Sequence, residues 1–112
     1  MEKEISLKPY VVSREFNKGR ENIYEYTIDT FGYFQAERYK QKIRKSLDTL
    51  SSFYNVYPEC RHLATKNRIY RNIILDSHLI IYRITELRIE VLDIIHSASS
   101  ISKIRNVRKI RL

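Results

Sequence analysis

Hydrophobic positions in the first half of the chain recur with helical spacing, and in the second half they alternate as in strands. Residues 7–12 (Leu-Lys-Pro-Tyr-Val-Val) are short and β-prone. Pro9 has no N–H to give to a ladder, so this first strand is expected to start late or to lie at a sheet edge. Ser13 is placed to cap the helix that follows. Phe16, Ile23, Tyr26 or Thr27, and Phe31 come round about once per turn, which predicts a helix over 14–31. Gly32 stands where a glycine stops a helix. Ala36, Tyr39, Ile43, Leu47, Leu50 and Tyr54 then follow at intervals of 3, 4, 4, 3 and 4, a stronger stripe that predicts a second helix over 34–54. The short connection folds the two back as an antiparallel hairpin, and Pro58 forbids further helix.

Beyond a polar loop the period changes. Ile69, Ile73 and Leu75 lie in a β-rich run that ends at the turn signal Asp76-Ser77. His78 to Ile84 is a second β-branched run, and Leu87, Ile89 and Val91 alternate with Arg88 and Glu90 towards Ile95. Three strands with short turns form an antiparallel meander. The order β-α-α-β-β-β is an α+β, two-layer domain, with the helical hairpin packed on one face of an antiparallel sheet. The tail from about 101 to 112, with Ile101, Ile104, Val107 and Ile110, fits a short amphipathic helix or a strand and is left unassigned.

Length and composition narrow the class. The 112 residues fit one domain, 1–112, and 43% hydrophobic with 30% charged is a globular balance. Two glycines exclude a phosphate-binding loop or a dinucleotide fingerprint. No apolar run reaches membrane-span length, and Met1 to Ser6 lacks the apolar core of a signal peptide. The single Cys60 excludes an intrachain disulfide framework, so a cytoplasmic setting is expected. No metal or other cofactor is expected, because Cys60 with His62 supplies only two ligands.

Charge adds a direction. The net charge is +8, and two stretches hold no acid at all. Residues 60–75 carry Arg61, Lys66, Arg68 and Arg71, and residues 94–112 carry Lys103, Arg105, Arg108, Lys109 and Arg111. Such segments attract a polyanion or an acidic protein. Metal-free RNA cleavage would need cations and an acid–base group, for which Arg71, Arg83, Tyr82 and His96 are the candidates.

The segment from Arg71 through Asp76-Ser77 to Ile80-Ile81-Tyr82-Arg83-Ile84 resembles the strand pair of the RelE/ParE toxin superfamily. Ile89 to His96 is similar to that family's last strand, and Ile23-Tyr24-Glu25-Tyr26 to its aromatic-rich first helix. The resemblance spans about residues 7–100. It implies the toxin of a type II toxin–antitoxin, plasmid-stabilisation module, neutralised by a cognate acidic antitoxin. One branch of the superfamily cleaves mRNA on the ribosome, and the other inhibits DNA gyrase without hydrolysis. Leu79 stands where the ribonuclease branch places an Arg, no Tyr follows Tyr82, and Ser97-Ala98-Ser99-Ser100 follows His96 where many relatives carry a Gly and an Arg. The ParE-like branch is therefore expected, acting by binding. A ribosome-dependent endoribonuclease and a plain nucleic-acid-binding protein are the alternatives. Arg61, Lys66, Arg68, Arg71, Lys103, Arg105 and Arg108 are the expected contacts to target or antitoxin. Ile43 and Leu47 are groove candidates for an antitoxin segment that folds on binding. A second copy of the chain is a further candidate partner.

Overall fold

A computed structural model describes residues 7–112; the segment Met1–Ser6, expected to be no signal peptide, lies outside the described residues. Strand β1 (Tyr10–Val12) leads into helix α1 (Arg14–Phe31), helix α2 (Tyr33–Asp48) and a short helix α3 (Leu50–Phe53). Strands β2 (Tyr70–Leu75), β3 (His78–Ile84) and β4 (Ile89–His96) follow, then helix α4 (Ile101–Asn106) and a 3-10 turn (Val107–Lys109). The sheet order is β1-β4-β3-β2.

The helix punctuation follows the sequence. Ser13 caps α1 by accepting a hydrogen bond from the Phe16 N–H at 2.9 Å. Gly32, at φ 92°, ends the helix and gives its own N–H to the Ile28 carbonyl. The second helix breaks at Thr49, earlier than its apolar stripe suggests. The Thr49 hydroxyl donates to the Ser46 carbonyl and meets the Tyr57 hydroxyl, so the chain restarts as α3 with Leu50 and Tyr54 still facing inward.

The meander β2-β3-β4 is antiparallel, as expected. Strand β1 departs from the all-antiparallel sheet, because it runs parallel to β4, with Tyr10 opposite Ile89 and Val12 opposite Val91. The helices and the strands β2 and β3 intervene, and the meander ends with β4 beside β1, running in the same sense. Pro9 does sit at the edge, and its carbonyl accepts from the Ile89 N–H at 2.8 Å.

A bulge decides which residues face which side. Ile81 pairs with Asp93 but Tyr82 pairs with Val91, so Leu92 is the extra residue on β4. An extra residue shifts the two-residue period by one. Ile89 and Val91 therefore join Ile94 on the hairpin side, with Phe16, Ile43, Leu47, Leu50, Tyr54 and Tyr82. Leu92 and Ile95 face the other side, where simple alternation from Val91 would not have put Ile95.

The second face is covered as well. Cys60 and Leu63 of the loop, and Ile104 and Val107 of the tail, pack there on Ile81, Leu92 and Ile95. The tail is thus an ordered helix and turn, its helix capped by the Ser100 hydroxyl. Among the described residues no helix is long and apolar enough to cross a membrane.

Candidate functional site

The hairpin carries the first surface. Gly19 lets α1 sit close to β4: a side-chain carbon there would lie 3.0 Å from the Ile94 Cγ2 and 3.2 Å from its carbonyl oxygen. Further along, the two helices line an open groove of about 570 Å³. Its apolar floor is Ile23, Ala36, Tyr39 and Ile43, and Arg20, Lys40 and Arg44 stand on its rims beside Glu21 and Glu25. The Tyr24 hydroxyl donates to the Glu37 carboxylate and ties α1 to α2, and that bond pushes the hydroxyl's pKa up to about 12. Of the two groove candidates, Ile43 lines the groove. Leu47 is not available there, because one turn further on α2 has closed over the sheet and Leu47 is packed in the core.

The end of the hairpin also departs from expectation. Tyr26 and Phe31 do not join the core. They are 65% and 62% exposed, and with Tyr33 at 60% and Phe34 at 84% they make an aromatic tip beyond the reach of the sheet. Phe34 meets Tyr33 edge-on at 5.8 Å. A helical period marks which residues share a face, but not where the partner element ends.

The acid–base candidates are scattered. Tyr82 is fully buried, its hydroxyl donates to the Tyr54 carbonyl at 2.7 Å, and burial raises its pKa well above the ordinary tyrosine value, so it is a core residue rather than an acid–base group. Arg83 lies on the opposite face in an ion pair with Glu90 at 2.7 Å. It also donates to the carbonyls of Arg108 (3.4 Å) and Ile110 (3.2 Å) and stacks on Tyr70, so its guanidinium pins the tail. Burial opposes its charge, but the hydrogen bonds to Tyr70 and Glu90 and the Glu90 charge outweigh this and raise its pKa. Burial likewise works against the Glu90 carboxylate, and the two guanidinium groups of Arg83 and Arg88 hold its pKa below the ordinary value. Arg71 donates to the carbonyls of Asn55, Tyr57 and Arg68, which fastens the loop onto β2. His96 is exposed at the end of β4, with its Nδ1 accepting from the Ala98 N–H. It stacks edge-on against His78 at 5.7 Å, and the Tyr39 hydroxyl contacts the His78 Nδ1 at 2.7 Å. Burial, then the neighbouring His96, lowers the His78 pKa. Burial pushes the Cys60 thiol up to about 11, and His62 beside it is exposed, so the two do not pair as nucleophile and base.

The second surface lies across the sheet from the hairpin. Cys60 and Leu63 anchor the loop, and Ile104 and Val107 anchor the tail, in one apolar cluster. The two acid-free stretches, 60–75 and 94–112, are thereby neighbours in space. Arg61, Lys66, Lys103, Arg105 and Arg108 are exposed there with no ion-pair partner among the described residues, and Arg68 reaches Glu59 only at 3.8 Å. Arg71 does not belong with them, because it shares the hairpin side of the sheet with its cross-strand partner Tyr82. Arg20, Lys40 and Arg44 were not singled out in the sequence; the i, i+4 spacing of Lys40 and Arg44 beside the Tyr39–Ile43 stripe is the signal that could have found those two, and Arg20, on α1, has none.

The architecture is that of a small α+β domain with a two-helix clasp, an open groove along it and a basic face behind. The chain belongs to the ParE toxin family: residues 10–101 match the family model described as "ParE toxin of type II toxin-antitoxin system, parDE". The expected likeness to the RelE/ParE superfamily, on its ParE-like side, is borne out. A solved structure described as "Chromosomal ParDE TA system from P. aeruginosa" shares the fold at a TM-score of 0.68, with 17% sequence identity over 81% of this chain and 97% of that one. No curated protein matches the chain in sequence.

Proposed function

We propose that this ParE-family chain is an intracellular toxin that acts by occupying DNA gyrase, and that an acidic antitoxin silences it by laying an amphipathic helix into the hairpin groove. The groove carries this reading. It has an apolar floor at Ile23, Ala36 and Ile43, and cations on its rims at Arg20, Lys40 and Arg44. An antitoxin segment that orders on binding would bury its apolar stripe on that floor and set its acids against those rims. The aromatic tip lies beyond the groove and supplies the large, rigid side chains that anchor protein interfaces. It would engage the target.

Burial of Tyr82 and the pairing of Arg83 with Glu90 count against a ribonuclease. Expression of the chain should arrest growth, and co-expression of the antitoxin encoded beside it should relieve the arrest. The triple variant Arg20→Glu/Lys40→Glu/Arg44→Glu should stay toxic and escape relief. Relief that persists undiminished in this variant would remove the groove from the account.

A further inference from the structure

The positive charge of this protein sits on one face, and that face is not the groove. Residues 60–75 and 94–112 together hold nine lysines and arginines and no acid, while the rest of the chain holds twelve against all thirteen acids, a net of −1. The whole excess charge therefore belongs to two segments that the fold packs together on Ile81, Leu92 and Ile95, opposite the hairpin. Of the nine, Arg71 turns to the other side of the sheet, and Arg111 lies at the β1 edge beside Val11 to Glu15.

We propose that this face binds the sugar–phosphate backbone of duplex DNA without reading its sequence. Three observations choose that ligand. First, Arg61, Lys66, Arg68, Lys103, Arg105 and Arg108 are all exposed, and four of the six are arginines, whose planar fork suits phosphate oxygens. Second, the face is poor in apolar anchors. Among exposed large hydrophobic side chains only Ile74, Ile101 and Leu112 fall in these two segments, none of them aromatic, whereas a protein partner is normally held by a buried apolar or aromatic centre. Third, neither segment has an exposed Phe, Tyr or Trp ring, the large platforms on which unpaired bases stack. Tyr70 is the sole such residue in them, and it lies half-buried beneath the Arg83 guanidinium. Charge with few apolar anchors and no large stacking platform fits the regular backbone of a duplex rather than an acidic protein or a single strand. The face is separate from the groove, so antitoxin binding and DNA binding need not exclude one another.

The test is fluorescence anisotropy of purified full-length chain with a labelled duplex of about 25 base pairs and arbitrary sequence. Each phosphate contact contributes about −0.9 to the slope of log affinity against log salt, so four to six contacts predict a slope of about −4 to −5. The variant Lys103→Glu/Arg105→Glu/Arg108→Glu should lose at least about tenfold in affinity, with a slope smaller by about two to three. The matched variant Arg20→Glu/Lys40→Glu/Arg44→Glu changes net charge by the same amount and should lose far less. If the tail variant fails to fold, the single changes Arg105→Gln and Arg108→Gln, on exposed side chains, carry the same comparison against Arg20→Gln and Arg44→Gln. Equal losses from the two surfaces, no binding at about 50 mM salt, or preferential binding of polyglutamate or single-stranded DNA over the duplex would each overturn the proposal. Growth arrest and its relief by antitoxin are read separately, so failure here leaves the toxin reading standing, and the reverse.

Discussion

The Ser13 hydroxyl donates to the carbonyl of Leu92, the residue that the bulge forces out of register on β4. The same oxygen accepts from the Phe16 N–H and caps α1, and the Ser13 N–H bonds the Val91 carbonyl at 2.9 Å. One buried side chain, 2% exposed, thus joins the start of the hairpin to the point where the sheet changes phase. Ser13→Ala removes the cap and leaves a buried carbonyl unpaired. It should lower stability by about 2–3 kcal/mol, read as a drop in the urea midpoint at unchanged slope. Ser13→Thr, which keeps the hydroxyl, should lose much less.

Helix propensity alone favours replacing Gly19, by about 1 kcal/mol for Ala. The contact with β4 reverses the sign for a larger residue, because the neighbour on one side is the Ile94 backbone carbonyl, which cannot swing away. Gly19→Val should destabilise by about 1–3 kcal/mol, measured by chemical denaturation.

Arg83 holds the tail through two carbonyls while Glu90 balances its charge in a setting where both side chains are only 13% and 11% exposed. Arg83→Met should cost about 2–4 kcal/mol, since it leaves Glu90 with Arg88 alone. It should also speed hydrogen exchange at Ile104 and Val107 well beyond the rest of the chain. Uniform acceleration across all elements would show that Arg83 does not act on the tail.

His78 makes stability depend on pH. Burial and the nearby His96 lower its folded pKa below the ordinary value of 6.5, while Asp76 works weakly the other way. The unfolded chain then takes up the proton first as pH falls. The contribution is intact above about 6.5 and is lost as pH drops through that value towards the folded pKa. Thermal unfolding from pH 8 to 5.5 should show a falling midpoint below 6.5, and His78→Phe should flatten that fall.

Much of the fold is written in local pattern. Ser13, Gly32 and the Ala36–Tyr54 stripe mark the hairpin, and Asp76-Ser77 marks the β2–β3 turn. The bulge at Leu92 has a weaker mark: the apolar pairs Val91-Leu92 and Ile94-Ile95 interrupt the alternation that runs from Leu87 to Val91, but only pairing with β3 shows which residue is displaced. The tail was illegible for a related reason: Ile104 and Val107 gain meaning only against Ile81, Leu92 and Ile95, far away in the chain. Sequence reading found the basic residues of the second face but not that loop and tail would share it. It placed Tyr82 and Arg83 together as neighbours, while the strand period sends one into the core and the other to the opposite side.

The central claim is that the chain stops cells by engaging gyrase rather than by cutting RNA. Supercoiling of relaxed plasmid by purified DNA gyrase, with increasing amounts of the full-length chain, tests it most directly. The account predicts dose-dependent loss of supercoiling, restored by the antitoxin. Undiminished supercoiling at a large molar excess of toxin over gyrase, with the chain folded and cells still arrested by its expression, would contradict it.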